Sequence, residues 1–343
     1  MSFFAVAAMG FLVSYLLTFR IASRSTTTAF DEPNERSLHG VPTLRLGGVG
    51  ILAGVAASLA AAWALAGPGV YGSAWPVALG AACVVAVGFR DDLRGASIFT
   101  RLVAQSLAAG ILVVAWGAPA ALELPGIRWQ WPEEVAAGFT ILFVVWMINL
   151  YNFMDGIDGL AAGMAVAGFT AYMLLSHRAG REPMALAASG VAGAAGGFLV
   201  HNFPPSRIFM GDTGSTLLGY LAAAFAIWAE RAGVFPLWVA VVAFSPFVVD
   251  ATATIVRRAL AGQPVWRPHR SHYYQRLVLA GWSHRRTTLC GYVIMTLAAV
   301  SAMMAPRLSV PGQWQLLGAW ALLYAVIGWM ITRLELRGLQ SVS

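Results

Sequence analysis

The sequence predicts an all-α, polytopic integral membrane protein that forms a single domain over residues 1–343. Composition and the recurrence of long apolar runs lead to this prediction. Apolar residues make up 59% of the chain and charged residues 11%, whereas soluble domains carry roughly 25% charged residues. The mean hydropathy of +0.70 agrees with a chain whose surroundings are largely lipid.

About eleven apolar runs, with ten as the lower count, come close to the roughly 17–25 residues that a membrane helix requires. Short polar breaks separate these runs, and no soluble domain is visible between them. We place the helices at residues 3–19, 46–66, 75–89, 99–117, 135–151, 159–175, 184–200, 215–229, 234–256, 287–305 and 313–332.

The arginines predict the orientation of these helices. The chain contains no lysine, so all 22 basic residues are arginines. With the N-terminus outside, seventeen arginines fall in inner loops and five in outer loops. An excess of positive charge inside sets membrane topology, so we expect the N-terminus outside and the C-terminus inside. The net charge of +7 then follows the membrane, and we expect no nucleic-acid partner.

Five of the seven aspartates fall in polar breaks that this topology places on the inner side. The break with the most polar residues reads Asn149-Leu-Tyr-Asn152-Phe-Met-Asp155-Gly-Ile-Asp158-Gly. In a helix, Asn152, Asp155 and Asp158 recur every three residues and share one broad face. A solvated helix end is the alternative. Because polar groups are costly between two membrane segments, we favour a functional site.

A second polar cluster, Gly211-Asp212-Thr213-Gly214-Ser215, directly precedes an apolar run. Its simplest interpretation is a helix N-cap. A glycine-containing helix N-terminus is also an anion site, because its backbone N–H groups point outward. Asp212 beside such a site could hold a metal ion that bridges to phosphate.

The adjacent acids Asp91 and Asp92 lie between Arg90 and Arg94. Surface ion pairs, which contribute little stability, are the alternative to a functional role. Neighbouring carboxylates can also raise one another's pKa and so leave one of them poised as a base.

The long inner loop carries Arg257, Arg258, Arg267, His269, Arg270 and His272. Arginines near a membrane often serve only topology and contact with anionic lipids. Arginine also forms bidentate pairs with phosphate, and the two histidines could donate to one. Asp250, about two helical turns before Arg257, is a deep ionisable residue and therefore a second-rank candidate.

Together these motifs resemble the polyprenyl-phosphate N-acetylhexosamine-1-phosphate transferase family, which includes the phospho-MurNAc-pentapeptide translocase. The resemblance starts at Pro33-Asn-Glu-Arg-Ser-Leu-His39 and Gly47-Gly48 and runs nearly end to end. It continues in order through Asp91-Asp92, Asn149 to Gly159, Gly211 to Ser215, Asp250, and the loop from Pro268 to Leu277.

The resemblance implies a reaction at the cytoplasmic face of the bacterial inner membrane. A UDP-linked N-acetylhexosamine would give its sugar-1-phosphate to undecaprenyl phosphate and release UMP, with Mg²⁺ as cofactor and Mn²⁺ as an alternative. The implied partners are the UDP-sugar, undecaprenyl phosphate and membrane lipids, and a homodimer is compatible with the family.

The resemblance also implies roles for individual residues. Asp212 is the first metal ligand and Asp155 the second, while Asp91 and Asp92 organise or deprotonate the lipid phosphate. The implied catalytic residues are Asp91, Asp92, Asp155, Asp212 and His272. The implied substrate-binding residues are Asn149, Asn152, Asp158, His269, Arg270 and Arg94.

The loop departs from the family at His269-Arg-Ser-His272-Tyr-Tyr, where many members carry three histidines or an acid followed by His-x-His-His. This variant looks more like the O-antigen-initiating branch, which handles GlcNAc or 6-deoxy sugars such as FucNAc and QuiNAc, and peptidoglycan synthesis is not expected. Because the chain lacks lysine, Arg94 or Arg101 has to replace any family lysine near the acidic pair.

Two other functions compete with this interpretation. A secondary transporter would place ionisable groups near the membrane midplane in paired, interrupted helices, whereas only Asp250 lies deep and no internal repeat is visible. A CDP-alcohol phosphatidyltransferase also uses aspartates and Mg²⁺ at a membrane face. Its signature is incomplete here, because no arginine follows the alanine after Asp158-Gly-Leu.

Overall fold

The computed structural model describes residues 2–24, 30–31, 38, 42–67, 74–264, 267 and 269–340. The predicted motif residues Pro33 to Arg36 and His39 lie outside this range, as does Pro268. The described chain is almost entirely helical, which confirms the predicted fold class. Its helices are α1 (Ser2–Arg24), α2 (Gly47–Ala66), α3 (Trp75–Arg94), α4 (Ile98–Trp116), α5 (Glu133–Phe153), α6 (Leu160–Arg178), α7 (Glu182–Asn202), α8 (Gly211–Arg231), α9 (Leu237–Ala243), α10 (Ser245–Leu260), α11 (Tyr273–Leu279), α12 (His284–Met304) and α13 (Val310–Gln340).

Two short antiparallel ribbons interrupt the helices within the described ranges. Strands β1 (Phe30–Asp31) and β2 (Thr43–Leu44) pair before α2. Strands β3 (Ala121–Leu124) and β4 (Ile127–Gln130) form a hairpin between α4 and α5. The hairpin falls in the predicted outer loop.

Each of the eleven predicted segments coincides with helix. Eight helices of the described chain are long and apolar enough to cross a membrane, or nine if one bent pair counts as a span. Helices α3 and α8 are not among the eight, because α3 ends on Arg90, Asp91, Asp92 and Arg94 and α8 begins with a polar turn. The protein is therefore a multi-pass membrane protein, and the ends of α3 and α8 carry three of the four acids predicted to be catalytic.

The predicted span at 234–256 is not a single straight helix. The structure has two helices there, α9 and α10, which meet at Phe244 with a bend of 87°. Pro246 stands in the first turn of α10, where its missing N–H costs nothing, whereas it could not continue α9 as a regular helix. The bend redirects α10, which carries Asp250, Arg257 and Arg258.

Helix α8 is the centre of the bundle. Nearly every residue from Gly211 to Ala229 is buried, and the helix packs against α2, α3 and α5. Because water cannot satisfy a helix end inside such a bundle, the N-terminus of α8 needs partners from neighbouring helices.

Helices α1 and α7 pack at backbone distance. A Cβ added at Gly193 of α7 would lie 2.1 Å from the carbonyl oxygen of Ala7 in α1. Small residues allow membrane helices to approach this closely. Because lipid tails are as apolar as the helix surfaces, van der Waals contact between the helices, and not the hydrophobic effect, stabilises their packing.

The close contact at Gly193 predicts opposite results for two Gly→Ala substitutions. Gly193→Ala should destabilise the protein by about 1–3 kcal/mol, because its methyl group overpacks the α1 interface. A Cβ added at Gly138 of α5 would have no neighbouring atom within 4 Å. Gly138→Ala should therefore be neutral or stabilising by up to about 1 kcal/mol. Thermal unfolding in detergent measures both, and equal melting temperatures would contradict the packing.

Candidate functional site

Four acids from three helix ends gather at one end of the bundle. Asp91 and Asp92 come from the end of α3, Asp155 follows α5, and Asp212 lies in the first turn of α8. Asp155 interacts electrostatically with Asp212 and Asp92, and Asp91 with Asp212. We call these four residues the aspartate cluster. The structure thus brings together all the acids predicted to be catalytic.

Asp92 caps α8 from another helix. Its side chain is fully buried, and one carboxylate oxygen accepts from the backbone N–H of Asp212 at 2.7 Å. The other oxygen accepts from the N–H of Thr213 at 2.9 Å and from the Thr213 hydroxyl at 2.6 Å. A negative charge at a helix N-terminus is stabilised by the free N–H groups and the helix dipole. The interpretation of this segment as its own N-cap is therefore wrong, because the N-cap residue Met210 makes no capping hydrogen bond and α3 supplies the carboxylate.

Gly211 allows this approach. Its φ of +70° lies in the left-handed region, and an added Cβ would lie 2.6 Å from Oδ1 of Asp92. Any side chain here would displace the carboxylate from the helix end, so only glycine fits between α3 and α8.

Asp212 is held by groups from three other segments. Its Oδ1 accepts from Asn152 Nδ2 at 3.0 Å and lies 3.6 Å from Arg45 Nη2. Its Oδ2 accepts from Arg101 Nη1 at 3.2 Å. Asn152 also donates to the Ser215 hydroxyl at 3.0 Å, so it ties α5 to the first turn of α8. Asn152 thus lies beside the acids, but the predicted helical face shared by Asn152, Asp155 and Asp158 is wrong, because α5 ends at Phe153 and both aspartates follow it.

Asp91 is half-buried beside Asp212. Burial, together with the hydrogen bond and charge of Asp212, raises the pKa of Asp91 to about 6. Arg101 Nη1 lies 3.8 Å from Asp91 Oδ2 and so bridges the two carboxylates. Burial also raises the pKa of Asp92 to about 6, against the lowering effect of its hydrogen bonds to α8.

Asp155 completes the cluster after the last turn of α5. Burial, and then the negative charges of Asp212 and Asp92, raise its pKa well above the usual range. Arg45 acts in the opposite direction. The raised pKa values of these acids have one origin, since several carboxylates share a region that water solvates poorly.

The cluster suits a cation held jointly with phosphate. Within the described ranges, no group of three or more His, Cys, Asp or Glu side chains is arranged to hold a metal ion alone. Mg²⁺ typically binds one or two protein carboxylates together with waters and substrate phosphates, so a complete protein cage is not required. Asp91 and Asp212, which share Arg101, fit this pattern, and Asp155 lies near enough to add charge.

Asn149 and Asp158 make separate contacts. Asn149 donates to Gln105 of α4 at 2.6 Å, one turn into the bundle from Asn152. Asp158 accepts from the Ser206 hydroxyl at 2.9 Å and lies 3.5 Å from His284 Nδ1. Burial opposes ionisation of Asp158, but its hydrogen bonds with His284 and Ser206 lower its pKa below the usual value. The predicted role of Asn149 and Asp158 in substrate binding stays a prediction.

The loop that carries His269 and His272, which we call the histidine loop, packs against the end of α5. Asp250 accepts from His272 Nδ1 at 3.2 Å and from the backbone N–H groups of Tyr273 and Tyr274 at 2.9 and 3.2 Å. The Tyr274 hydroxyl donates to the carbonyl oxygen of Phe153 at 2.9 Å. This contact places His272 beside the segment that carries Asn152 and Asp155.

His269 lies next to His272, with 5.0 Å between the ring centroids. Burial and the neighbouring positive charges lower the pKa of His269 to about 4, so it is neutral at pH 7. Its predicted contact with the donor would therefore be a neutral hydrogen bond. Arg270 lines a basic cavity together with Arg257 and Arg258, at the end of α10.

The sequence identified only one of the two arginines that contact the acids. Arg94 and Arg101 were the alternatives predicted to replace a family lysine near the acidic pair. Arg94 is exposed at the end of α3, whereas Arg101 contacts Asp91 and Asp212. Arg45 was counted only for topology, although it lies 3.8 Å from Asp92 and 3.6 Å from Asp212. Its position two residues before Gly47-Gly48, which belong to the family pattern, was the available signal.

The two adjacent acids should differ in their effect on stability. Asp92→Asn replaces one of two accepting oxygens by an NH₂ group that faces helix N–H donors, and should cost about 1–3 kcal/mol. Asp91→Asn removes the same charge from a half-buried position and should cost less than half as much. Melting temperatures of both variants in detergent test this, and an equal loss would show that Asp92 is no special cap.

Comparison with known proteins places the chain in a family. Residues 74–230 match the profile of Glycosyl transferase family 4. A probable undecaprenyl-phosphate N-acetylglucosaminyl 1-phosphate transferase of Bacillus subtilis (strain 168) is 30% identical, with 88% of this chain and 83% of the relative covered. A decaprenyl-phosphate N-acetylglucosaminephosphotransferase of Mycobacterium leprae (strain TN) is 34% identical, with 82% and 77% covered. A phospho-N-acetylmuramoyl-pentapeptide-transferase of Geobacillus thermodenitrificans (strain NG80-2) is 32% identical, with 64% and 68% covered.

Coverage of 88% of the chain extends the similarity far beyond residues 74–230, so it includes most of the bundle. The transporter and CDP-alcohol phosphatidyltransferase alternatives are therefore set aside. The resemblance read from the motifs is confirmed: the chain belongs to glycosyl transferase family 4, among the polyprenyl-phosphate N-acetylhexosamine-1-phosphate transferases.

Proposed function

We propose that this protein transfers an N-acetylhexosamine-1-phosphate from a UDP-sugar to a polyprenyl phosphate, with undecaprenyl phosphate as the acceptor. Relatives named for transfer to undecaprenyl and decaprenyl phosphate support this proposal. The observation that carries it is the convergence of Asp91, Asp92, Asp155 and Asp212 at one end of a membrane bundle.

The position of the cluster suits both substrates. The acceptor phosphate is fixed to a lipid and lies at the headgroup layer, and the donor is water-soluble. A site built from helix ends meets both without drawing charge into the hydrocarbon core. The arginine distribution favours the cytoplasmic face of a bacterial inner membrane for this end.

The reaction is a phosphoryl transfer. An oxygen of the acceptor phosphate forms a bond to the sugar-bearing phosphorus of the donor, the bond from that phosphorus to the bridging oxygen breaks, and UMP leaves. A phosphate monoester has a second pKa of about 6, so the acceptor is largely dianionic at neutral pH and needs little help from a base. The residues chiefly have to align the groups and balance their charge.

Mg²⁺ is the proposed cofactor, and Mn²⁺ is an alternative. When bound, it would neutralise phosphate charge and orient the transferring group. Asp212 is the first proposed ligand, with Asp91 or Asp155 as the second. Asn152 and Arg101 hold the Asp212 carboxylate from two sides, so the ligand is fixed before substrates arrive.

Asp92 is proposed to act differently from its neighbour. Since both of its oxygens accept hydrogen bonds from α8, it holds Asp212 in place and contributes a fixed negative charge. Asp91 is half-buried and is the acid better placed to organise the acceptor phosphate. His272, fixed by Asp250, and Arg270 are proposed to contact the donor diphosphate.

An assay of UMP release tests the proposed function. Purified protein in nanodiscs with undecaprenyl phosphate, a UDP-HexNAc and Mg²⁺ should release UMP, and chelation should stop it. Asp212→Asn should lower kcat by about 100-fold or more, because the fixed ligand loses its charge. Glu123→Gln in the β3–β4 hairpin, far from the cluster, is the matched control and should keep its activity. Full activity of Asp212→Asn with normal melting would refute the metal role.

A panel of donors tests the sugar. The loop sequence favours GlcNAc or a 6-deoxy sugar such as FucNAc or QuiNAc, and initiation of an O-antigen-like polysaccharide as the pathway step. We expect turnover with at least one of these UDP-sugars and none with UDP-MurNAc-pentapeptide, measured as formation of the lipid-linked product. Preferred turnover of the pentapeptide donor would contradict the branch assignment.

A further inference from the structure

A second charged region lies away from the aspartate cluster, where the ends of α10 and α13 meet α11. It is a cavity of about 370 Å³. Four arginines and one glutamate contribute its charged groups, which gives a formal excess of three positive charges among the described lining residues. The residues that matter here are Arg257, Arg258, Arg270, Ser271, Arg276 and Glu335. We call this cavity the arginine pocket.

The arginines are fixed in place by the surrounding fold. Arg276 makes a bidentate pair with Glu335 of α13, with 2.6 Å from its Nε to Oε1, and Nη2 also donates to Thr332. Arg257 donates to the carbonyl oxygen of Ser271 at 2.6 Å. Arg258 donates to the Ser271 hydroxyl at 3.3 Å and to the carbonyl oxygen of Pro264 at 3.0 Å. A preorganised fork of this kind matches phosphate geometry.

Arg258 and Arg276 of this pocket each have a buried donor that lacks a hydrogen-bond partner among the described residues. These donors are Nε of Arg258 and Nη1 of Arg276, on residues that are only 9% and 4% exposed. Buried polar groups are nearly always satisfied, so an unpaired N–H on a charged group calls for an acceptor that the chain does not supply. An oxyanion in the pocket would satisfy both donors.

The ion pairs of the arginine pocket are separate from those of the aspartate cluster. The acids that act on Arg276 are Glu335 and, more weakly, Asp250. The positive charge of Arg257 contributes to lowering the pKa of Glu335 and that of His269. No ion pair joins Arg257, Arg258 or Arg276 to Asp91, Asp155 or Asp212 among the described residues. The pocket is therefore distinct from the aspartate cluster, although Arg270, a proposed contact of the donor diphosphate, also lines it.

Exposed apolar side chains lie on the two long helices that contribute residues to the pocket. Val256 and Leu260 of α10 are 49% and 85% exposed, and Met330 and Leu334 of α13 are 52% and 38% exposed. In a membrane protein such residues face acyl chains. A basic pocket with apolar neighbours on two helices is the arrangement that binds an anionic lipid headgroup while its chains run along the helices.

We propose that the arginine pocket holds the phosphodiester headgroup of an anionic membrane phospholipid, such as phosphatidylglycerol. The phosphate accepts from the free N–H groups of Arg258 and Arg276, and the acyl chains lie on α10 and α13. The donor diphosphate offers similar chemistry, so the experiment has to separate the two sources.

Lipid retention measures this site without any turnover. Full-length protein is extracted from vesicles of phosphatidylcholine and phosphatidylglycerol, and bound lipids are counted by native mass spectrometry. Arg258→Gln should retain phosphatidylglycerol about tenfold less well, the effect of one lost charge-assisted hydrogen bond to the phosphate. Arg257→Gln should retain it about fivefold less well, the effect of one lost positive charge beside the headgroup. Arg333→Gln is the matched control, since Arg333 of α13 lies over the Trp329 ring at 5.4 Å and not in the pocket.

Two outcomes would overturn the proposal. One is equal retention of phosphatidylglycerol by Arg257→Gln and Arg333→Gln, since Arg257 is exposed and its loss should not unfold the protein even if Arg258→Gln does. The other is displacement of the bound lipid by excess UDP, which would assign the pocket to the donor. Retention that falls in the pocket variants and resists UDP supports it.

Discussion

The structure of the site depends on one buried contact, that of the Asp92 carboxylate with the first turn of α8. A buried carboxylate without partners would cost several kcal/mol, on the order of 3–5. Asp92 avoids this cost through hydrogen bonds from Asp212 and Thr213 and through the dipole of α8. The contact also fixes the register between α3 and α8. Asp212 starts the helix that Asp92 caps, so the two residues cannot move independently.

The same device recurs at the histidine loop. Asp250 of α10 accepts from the first N–H groups of α11 and from His272, as Asp92 does for α8. In both cases a carboxylate from one helix caps another. Between the two caps lies the end of α5, joined to α8 through Asn152 and to α11 through the Phe153 carbonyl. The site is therefore positioned by helix ends that hold one another, which the bend at Phe244 makes geometrically feasible.

The sequence predicted the helices and the gathering of the acids, because apolar runs and polar breaks are local signals. It did not predict the division of labour between Asp91 and Asp92, since adjacent residues at a helix end look alike until the partner helix is known. Arg45 and Arg101 were missed or left as alternatives for a similar reason. Seventeen inner arginines support the topology equally well, and only tertiary contacts distinguish the two that touch the acids.

The charges of the cluster explain why a divalent cation suits it. Four ionised carboxylates carry four negative charges, and Arg45 and Arg101 are the arginines found within ion-pair distance in the described structure. An excess of two negative charges would remain. Burial raises the pKa values of Asp91, Asp92 and Asp155, and the negative charge of Asp212 raises each of them further. A doubly charged cation balances the cluster alone, and the phosphates it attracts then bring their own negative charge toward Arg45 and Arg101.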